Sequence, residues 1–216
     1  ESMERSVRKP FLSLNGEDLR SILSRSWSLS WPMTLIMFFE FMIGLTDVYI
    51  AGKVGKEVQA AYGFVIQLYF IFIVIGNALT VGTVSIVSRL FTSGKEEELH
   101  RTIFSSLATA AGIGIVFVLG GLLLTPPILT LLTLPGELKP LVPPFIRIYA
   151  IGLLFHYLLI NSNGILRSCQ MIKKSLETMA LVCTINIALN FFLVFHTPLS
   201  FRGIAAATAS SVFIGS

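Results

Sequence analysis

Long apolar stretches alternate with short polar breaks along the whole chain. No Asp, Glu, Lys or Arg occurs between Val58 and Ser88, between Thr102 and Gly136, or between Thr178 and Phe201. Each stretch reaches the roughly 20 apolar residues a helix needs to cross hydrocarbon. The pattern predicts spans over about 28–51, 60–90, 102–124, 145–166 and 176–195. A last small-residue piece, GIAAATASSVFIGS from Gly203, has about half the length of a span, so the chain is expected to stop inside a helix. The fold class expected is an all-α polytopic membrane protein, a six-helix transmembrane bundle with its last helix truncated. Residues 27–216 form that bundle, and 1–26 form a cytoplasmic N-terminal segment, either an interfacial helix starting near Asn15-Gly16-Glu17-Asp18 or a solvated tail.

The breaks carry their own signals. Six of the nine prolines fall between Thr125 and Pro144, which predicts a punctuated loop there, and Pro32 is placed in the first turn of span one. Glu96, Glu97 and Glu98 lie in the expected loop 91–101, as a solvated cap or loop face. Span three is built on Ala108, Gly112, Gly120 and Gly121, which suits close helix approach.

Composition strengthens the membrane assignment: 54% of residues are hydrophobic and 13% charged, against about 25% charged in soluble domains. The net charge of +4 then reports loop lysines and arginines, not affinity for nucleic acid. With the N-terminus in the cytoplasm, 11 of the 16 basic residues fall inside. The positive-inside rule supports that orientation, with the plasma membrane as the expected location. Cys169 and Cys183 have no metal-ligand spacing and read as free thiols. No His-Glu-x-x-His or Gly-x-Ser-x-Gly motif points to an intramembrane enzyme.

Candidate chemistry concentrates in span one, SLSWPMTLIMFFEFMIGLTDVYIAG, which carries Glu40 and Asp47. A carboxylate at membrane depth costs roughly 2.5 kcal/mol or more and normally faces a bundle interior or a wet cavity. Seven residues separate the two, so they share a helix face. Asp47 is by default a functional candidate, or pairs with Lys53 or Lys56 at the interface. Glu40 can act as a second carboxylate, or bond a buried amide such as Asn77. Gln67, Asn77 and His156 are candidate polar lining of a cavity. His156 shares a face with Asn163, and Asn186 with Asn190 one turn on.

Pro32, Asp47 fifteen residues later, Ala51-Gly52 and VGKEVQAAYG resemble the first helix and following turn of multidrug and toxic compound extrusion (MATE) transporters. NSNGILRSCQMIKKS resembles that family's fourth-to-fifth helix junction, INIALNFFLVF its fifth helix, and RGIAAATASS the opening of its sixth. The resemblance implies one lobe, the N-terminal, of a twelve-helix transporter that exports amphipathic, cationic organic compounds in exchange for H+ or Na+. It implies a second six-helix bundle as partner, beside membrane lipids and a small organic substrate, and no cofactor beyond the coupling ion. It implies a cation-coupling set of Asp47, Asn186, Asn190, Thr208 and Asn163, with Na+ at Asp47 if protons are not the ion. Three departures stand out: Asn190 occupies a position where some relatives carry a second acid, Cys169-Gln170 replaces a usual glycine, and Glu40 lies outside the pattern. The alternatives are a lipid-linked sugar flippase of the same superfamily, expected to line its cavity with arginines, and a non-transporting membrane scaffold.

Overall fold

The computed structural model describes residues 16–131 and 134–216, without side-chain detail at 16–18, 25, 128 and 131. The expected segment over 1–26 lies outside the described residues as far as residue 15. Six helices follow in order: α1 Gly16–Val54, α2 Lys56–Thr92, α3 Glu96–Leu131, α4 Val142–Ser168, α5 Ile172–Phe195 and α6 Arg202–Gly215. The first five are long and apolar enough to cross a membrane. Helices are the answer such a sequence must give, because hydrocarbon offers no partner for an open backbone amide.

The helices run further than the apolar stretches indicate. α1 continues without a break from Gly16 through the expected start of span one. Pro32 therefore lies well inside α1 and not in a first turn. The proline ring is buried there, and the helix continues past its missing amide. α3 likewise passes through Pro126 and Pro127, where a loop was expected. Beside them the Thr125 hydroxyl donates to the Gly121 carbonyl on the preceding turn, and the helix continues although the Pro126 and Pro127 amides are missing. The remaining prolines behave as stops and starts: Leu138 N–H donates to Pro135 O at 3.0 Å in a turn, and Pro143 and Pro144 open α4.

Turns are short. The expected loop 91–101 shrinks to Ser93–Lys95, because Glu96, Glu97 and Glu98 form the first turn of α3, where acids favour the helix dipole. Gly94 takes φ 69° there. Between α4 and α5 the left-handed position falls on Gln170, at φ 61°. The turn is closed by Met171 N–H donating to Leu166 O at 2.8 Å. The geometry that a glycine usually supplies is thus kept without one, at a cost of roughly 1 kcal/mol.

Packing is set by small residues, although not all those expected. α3 leans chiefly on α4: a side chain at Gly114 would meet the Leu154 backbone at 2.8 Å, and one at Gly121 would meet Ala150. Gly112 and Gly120, named from sequence with Gly121, face open space. Gly114 and Gly121 are seven apart and share the face turned to α4. α2 is stapled to α4 by the Tyr157 hydroxyl, which donates to the Phe72 carbonyl at 2.6 Å, and Gly76 lies flat against the Tyr157 ring. α5 receives α6 where Gly203 abuts the Leu193 backbone. A core of Ile50, Tyr62, Phe145, Tyr149 and Ile204 fills the end of the bundle that carries the α1–α2 turn. A smaller cluster of Ile36, Leu159, Met179, Val182 and Val212 fills the other half. Among the described residues the ion pairs are Lys95–Glu98 and Lys174–Glu177, both exposed, and these contribute little.

Gly114→Leu is expected to destabilise the bundle by about 1–3 kcal/mol through overpacking against Leu154, while Gly120→Ala leaves thermal unfolding in detergent unchanged or slightly raised. Gln170→Gly is expected to stabilise by about 1 kcal/mol, read in the same measurement; equal stability of the two chains would show that the turn is unstrained.

Candidate functional site

The site begins on α1, about two turns before its end at Val54. The stripe Ile36, Glu40, Ile43, Asp47 repeats every three to four residues, yet its members have different fates. Asp47 is 2% exposed, enclosed where α2, α5 and α6 converge. Glu40 is exposed and makes no hydrogen bond or close ion pair among the described residues. A common face is therefore not a common environment, because the neighbours that cover Asp47 do not cover a residue two turns away.

Around Asp47 the chain closes a ring of hydrogen bonds. Asn190 Nδ2 donates to Asp47 Oδ1 at 2.7 Å and lies 3.1 Å from Asn186 Oδ1. Asn186 Nδ2 donates to Thr208 Oγ1 at 3.1 Å, and Thr208 Oγ1 donates to Asp47 Oδ2 at 2.9 Å. Thr208 has a single proton to give, and the Ile204 carbonyl, 3.2 Å away, competes for it. Tyr62 completes the surround with a longer contact from its hydroxyl to Asp47 Oδ2, at 3.5 Å. Asn186 and Asn190 are each 0% exposed, held one turn apart on α5 so that both amides meet the same carboxylate from one side.

All of these donors are neutral. Among the described residues no Lys, Arg or His forms an ion pair with Asp47, and Lys53 and Lys56, its possible partners by sequence, do not approach it. A carboxylate buried without a counter-charge is stable only if hydrogen bonds carry its charge, or a proton or cation removes it. Two buried oxygens beside the ring, Asn190 Oδ1 and Tyr149 Oη, have no hydrogen-bond partner. With Asp47, Asn186 and Thr208 they make an all-oxygen donor set containing one carboxylate, which fits a monovalent ion. Among the described residues no group of three or more His, Cys, Asp or Glu could hold a metal, so the set does not resemble a divalent or thiolate site.

The other sequence candidates lie elsewhere. Asn163 does not join the ring: it accepts from Ser175 Oγ at 2.6 Å, and its Nδ2 faces Met179 Sδ at 3.6 Å. α4 starts beside the α1–α2 turn and ends at the opposite face of the bundle, so Asn163, near its end, is a long way from Asp47. His156, seven residues before Asn163 on α4, pairs its Nδ1 with the Tyr69 hydroxyl at 2.7 Å. Gln67 and Asn77 are exposed on one stripe of α2 with Phe70, Val74 and Val81; neither lines a buried site. Asn77 does not bond Glu40.

Tyr62 and Tyr149 were not singled out from sequence. Tyr62 carried a usable signal: Asp47 lies eight residues before Gly55 and Tyr62 seven after it, so in an antiparallel hairpin the two are opposite. Tyr149 carried the weaker one of standing seven residues before His156.

The MatE family model matches residues 32–215. An uncharacterized transporter, YisQ of Bacillus subtilis strain 168, is 24% identical over 194 residues, covering 88% of this chain and 42% of that protein. A probable multidrug resistance protein, NorM of Acinetobacter baylyi, is 24% identical over 131 residues, covering 61% of this chain and 29% of that one. An outward-facing multidrug resistance MATE family transporter of the MOP superfamily superposes with a TM-score of 0.81 at 24% identity, covering 87% of this chain and 42% of the other. A MOP superfamily transporter from Pyrococcus furiosus, whose binding pocket is described as reversed in polarity, also gives 0.81 at 24%, covering 87% and 41%. This chain thus spans about two fifths of the length of the relatives it matches along most of its length. The six helices and the extent of the family match make it an integral membrane protein of the MatE family, a family of transporters and not of enzymes.

Proposed function

We propose that this chain is the ion-coupling lobe of an antiporter that exports amphipathic, cationic organic compounds in exchange for H+ or Na+. The observation that carries the reading is Asp47: buried, without a basic partner among the described residues, and ringed by neutral donors from α2, α5 and α6. Antiport needs a group whose charge state differs between two conformations, so that ion and substrate bias the equilibrium in opposite directions.

The ring can serve both charge states. The ionised carboxylate accepts from Asn190, Thr208 and, at longer range, Tyr62. A protonated carboxyl must instead donate, and the two unpartnered oxygens, Asn190 Oδ1 and Tyr149 Oη, are acceptors awaiting a donor. Turning the Asn190 amide over exchanges Nδ2 for Oδ1 at the 2.7 Å contact. If Na+ replaces the proton, the same oxygens supply its ligands.

A second six-helix bundle is the proposed partner. Glu40 on α1, and Gln67 and Asn77 on α2, are exposed along helices otherwise suited to lipid. Such groups are costly against hydrocarbon, so the surface that bears them is assigned to a wet cavity between two lobes. On this reading the protein sits in the plasma membrane, and the distribution of basic residues supports a cytoplasmic N-terminus. The flippase reading gains nothing from the geometry, since Arg89 and Arg147 are exposed near helix ends and point to no arginine-lined cavity.

In the full-length gene product reconstituted in vesicles, Asp47→Asn is expected to abolish substrate export driven by a proton or sodium gradient while the protein remains folded. Undiminished gradient-driven export by the folded variant would sink the assignment of coupling to Asp47, and absence of any gradient-driven export by the unmutated protein would favour a scaffold. In thermal unfolding, Asp47→Asn and Thr208→Val are expected to be non-additive by about 0.5–3 kcal/mol, whereas Asp47→Asn and Asn163→Leu add within about 0.5 kcal/mol. Strong coupling of Asp47 to Asn163 would contradict the separation of the two sites.

A further inference from the structure

The end of the bundle away from Asp47 holds a groove between α2 and α3 that coupling does not use. It is an open groove of about 470 Å³. Its floor is apolar, from Leu79 and Ile86, with Gly82 between them. A side chain built on Gly82 would meet nothing within 4 Å, so the glycine leaves a lane open along α2. The opposite wall carries hydroxyls of α3, and Arg101 stands at the mouth.

The wall divides into bonded and unbonded groups. Deeper in, Thr83 Oγ1 and Ser106 Oγ share a hydrogen bond at 2.7 Å, and Asn161 Nδ2 donates to Ser106 Oγ at 2.7 Å. Asn161 is 0% exposed, and its Oδ1 has no partner. Thr109 donates back to the Ser105 carbonyl at 2.8 Å. Toward the mouth, the hydroxyls of Thr102 and Ser105 make no hydrogen bond within the described chain, and Arg101, in the same turn, has no carboxylate within 4 Å. Glu97 and Glu98 precede Arg101 by one turn, and Glu98 is taken by Lys95 at 2.8 Å. Two free hydroxyl donors and an unpaired guanidinium thus converge where helix ends meet the membrane surface, above an open apolar lane.

We propose that the α2–α3 groove binds an anionic phospholipid, its phosphate held by Arg101, Thr102 and Ser105 and an acyl chain laid along Leu79, Gly82 and Ile86. Guanidinium and hydroxyl donors match phosphate oxygens, and basic pockets between membrane helices near a surface take lipid headgroups. A free phosphate would use only the mouth and leave the apolar lane without an occupant. The proposal is independent of the ion-coupling reading, since no residue is shared between the two sites.

The test uses the full chain in a neutral detergent, with phosphatidylglycerol or phosphatidylcholine titrated in and bound lipid counted by native mass spectrometry. Phosphatidylglycerol is expected to be retained in preference to phosphatidylcholine. Arg101→Gln should weaken that retention about fivefold, and Arg101→Lys should keep most of it. Gly82→Leu, which fills the lane without touching the arginine, should weaken it too, whereas Lys173→Gln at the same end of the bundle should not. Equal retention of the two lipids, a preference that survives both Arg101→Gln and Gly82→Leu, an equal loss with Lys173→Gln, or full competition by inorganic phosphate would each overturn the proposal.

Discussion

The constraint on which the rest depends is that one carboxylate is buried in a membrane bundle with, among the described residues, no basic side chain paired to it. Asp47 is 2% exposed, and its surround contains only neutral donors. Each of those donors has to be carried in by a different helix: Asn190 by α5, Thr208 by α6 and Tyr62 by α2. The arrangement of four helices at that end of the bundle is therefore tied to the needs of a single side chain. The amide pair Asn186 and Asn190 illustrates the economy of the helix period, since one turn of α5 serves both the carboxylate and the hydroxyl that also binds it.

Close packing makes this convergence possible. Glycines at 114 and 121 draw α3 onto α4, and Gly203 lets the start of α6 lie on the α5 backbone. Without a hydrophobic driving force between helices in lipid, such small-residue contacts and interhelical hydrogen bonds provide the cohesion. α1 is held differently. It packs broadly on α5, and only slightly on α6, so the Asp47–Thr208 bond at 2.9 Å is the principal polar link across that slight interface.

Much of this was legible in the chain, and the limits have physical reasons. Charge-free stretches locate the spans, because hydrocarbon tolerates little else. Their ends are not legible, since a helix continues through polar residues and even through Pro126-Pro127. Asp47, Asn186, Asn190 and Thr208 could be named together only through resemblance to MATE transporters; periodicity pairs Asn186 with Asn190 but says nothing of which helices meet. The same limit explains Asn163, whose partner Ser175 lies across the α4–α5 turn, and Glu40, which shares Asp47's face without sharing its neighbours. Gly114 went unnamed beside Gly112 and Gly120 because small residues crowd that helix, and only the packing partner tells which of them are needed.

The geometry also bears on why a neutral amide at position 190 is compatible with ion coupling. A second acid there would put two like charges on adjacent atoms of the ring, and one would have to be neutralised for both to stay buried. Asn190 avoids that repulsion while offering a donor to Asp47 and an unpartnered oxygen on the same side chain. An amide can present either end to the carboxyl group, so one residue meets the hydrogen-bonding demands of both the ionised and the neutral form. On the proposed reading, a single carboxylate so surrounded would take up one unit of positive charge when occupied, which a proton or a sodium ion supplies and a divalent cation exceeds.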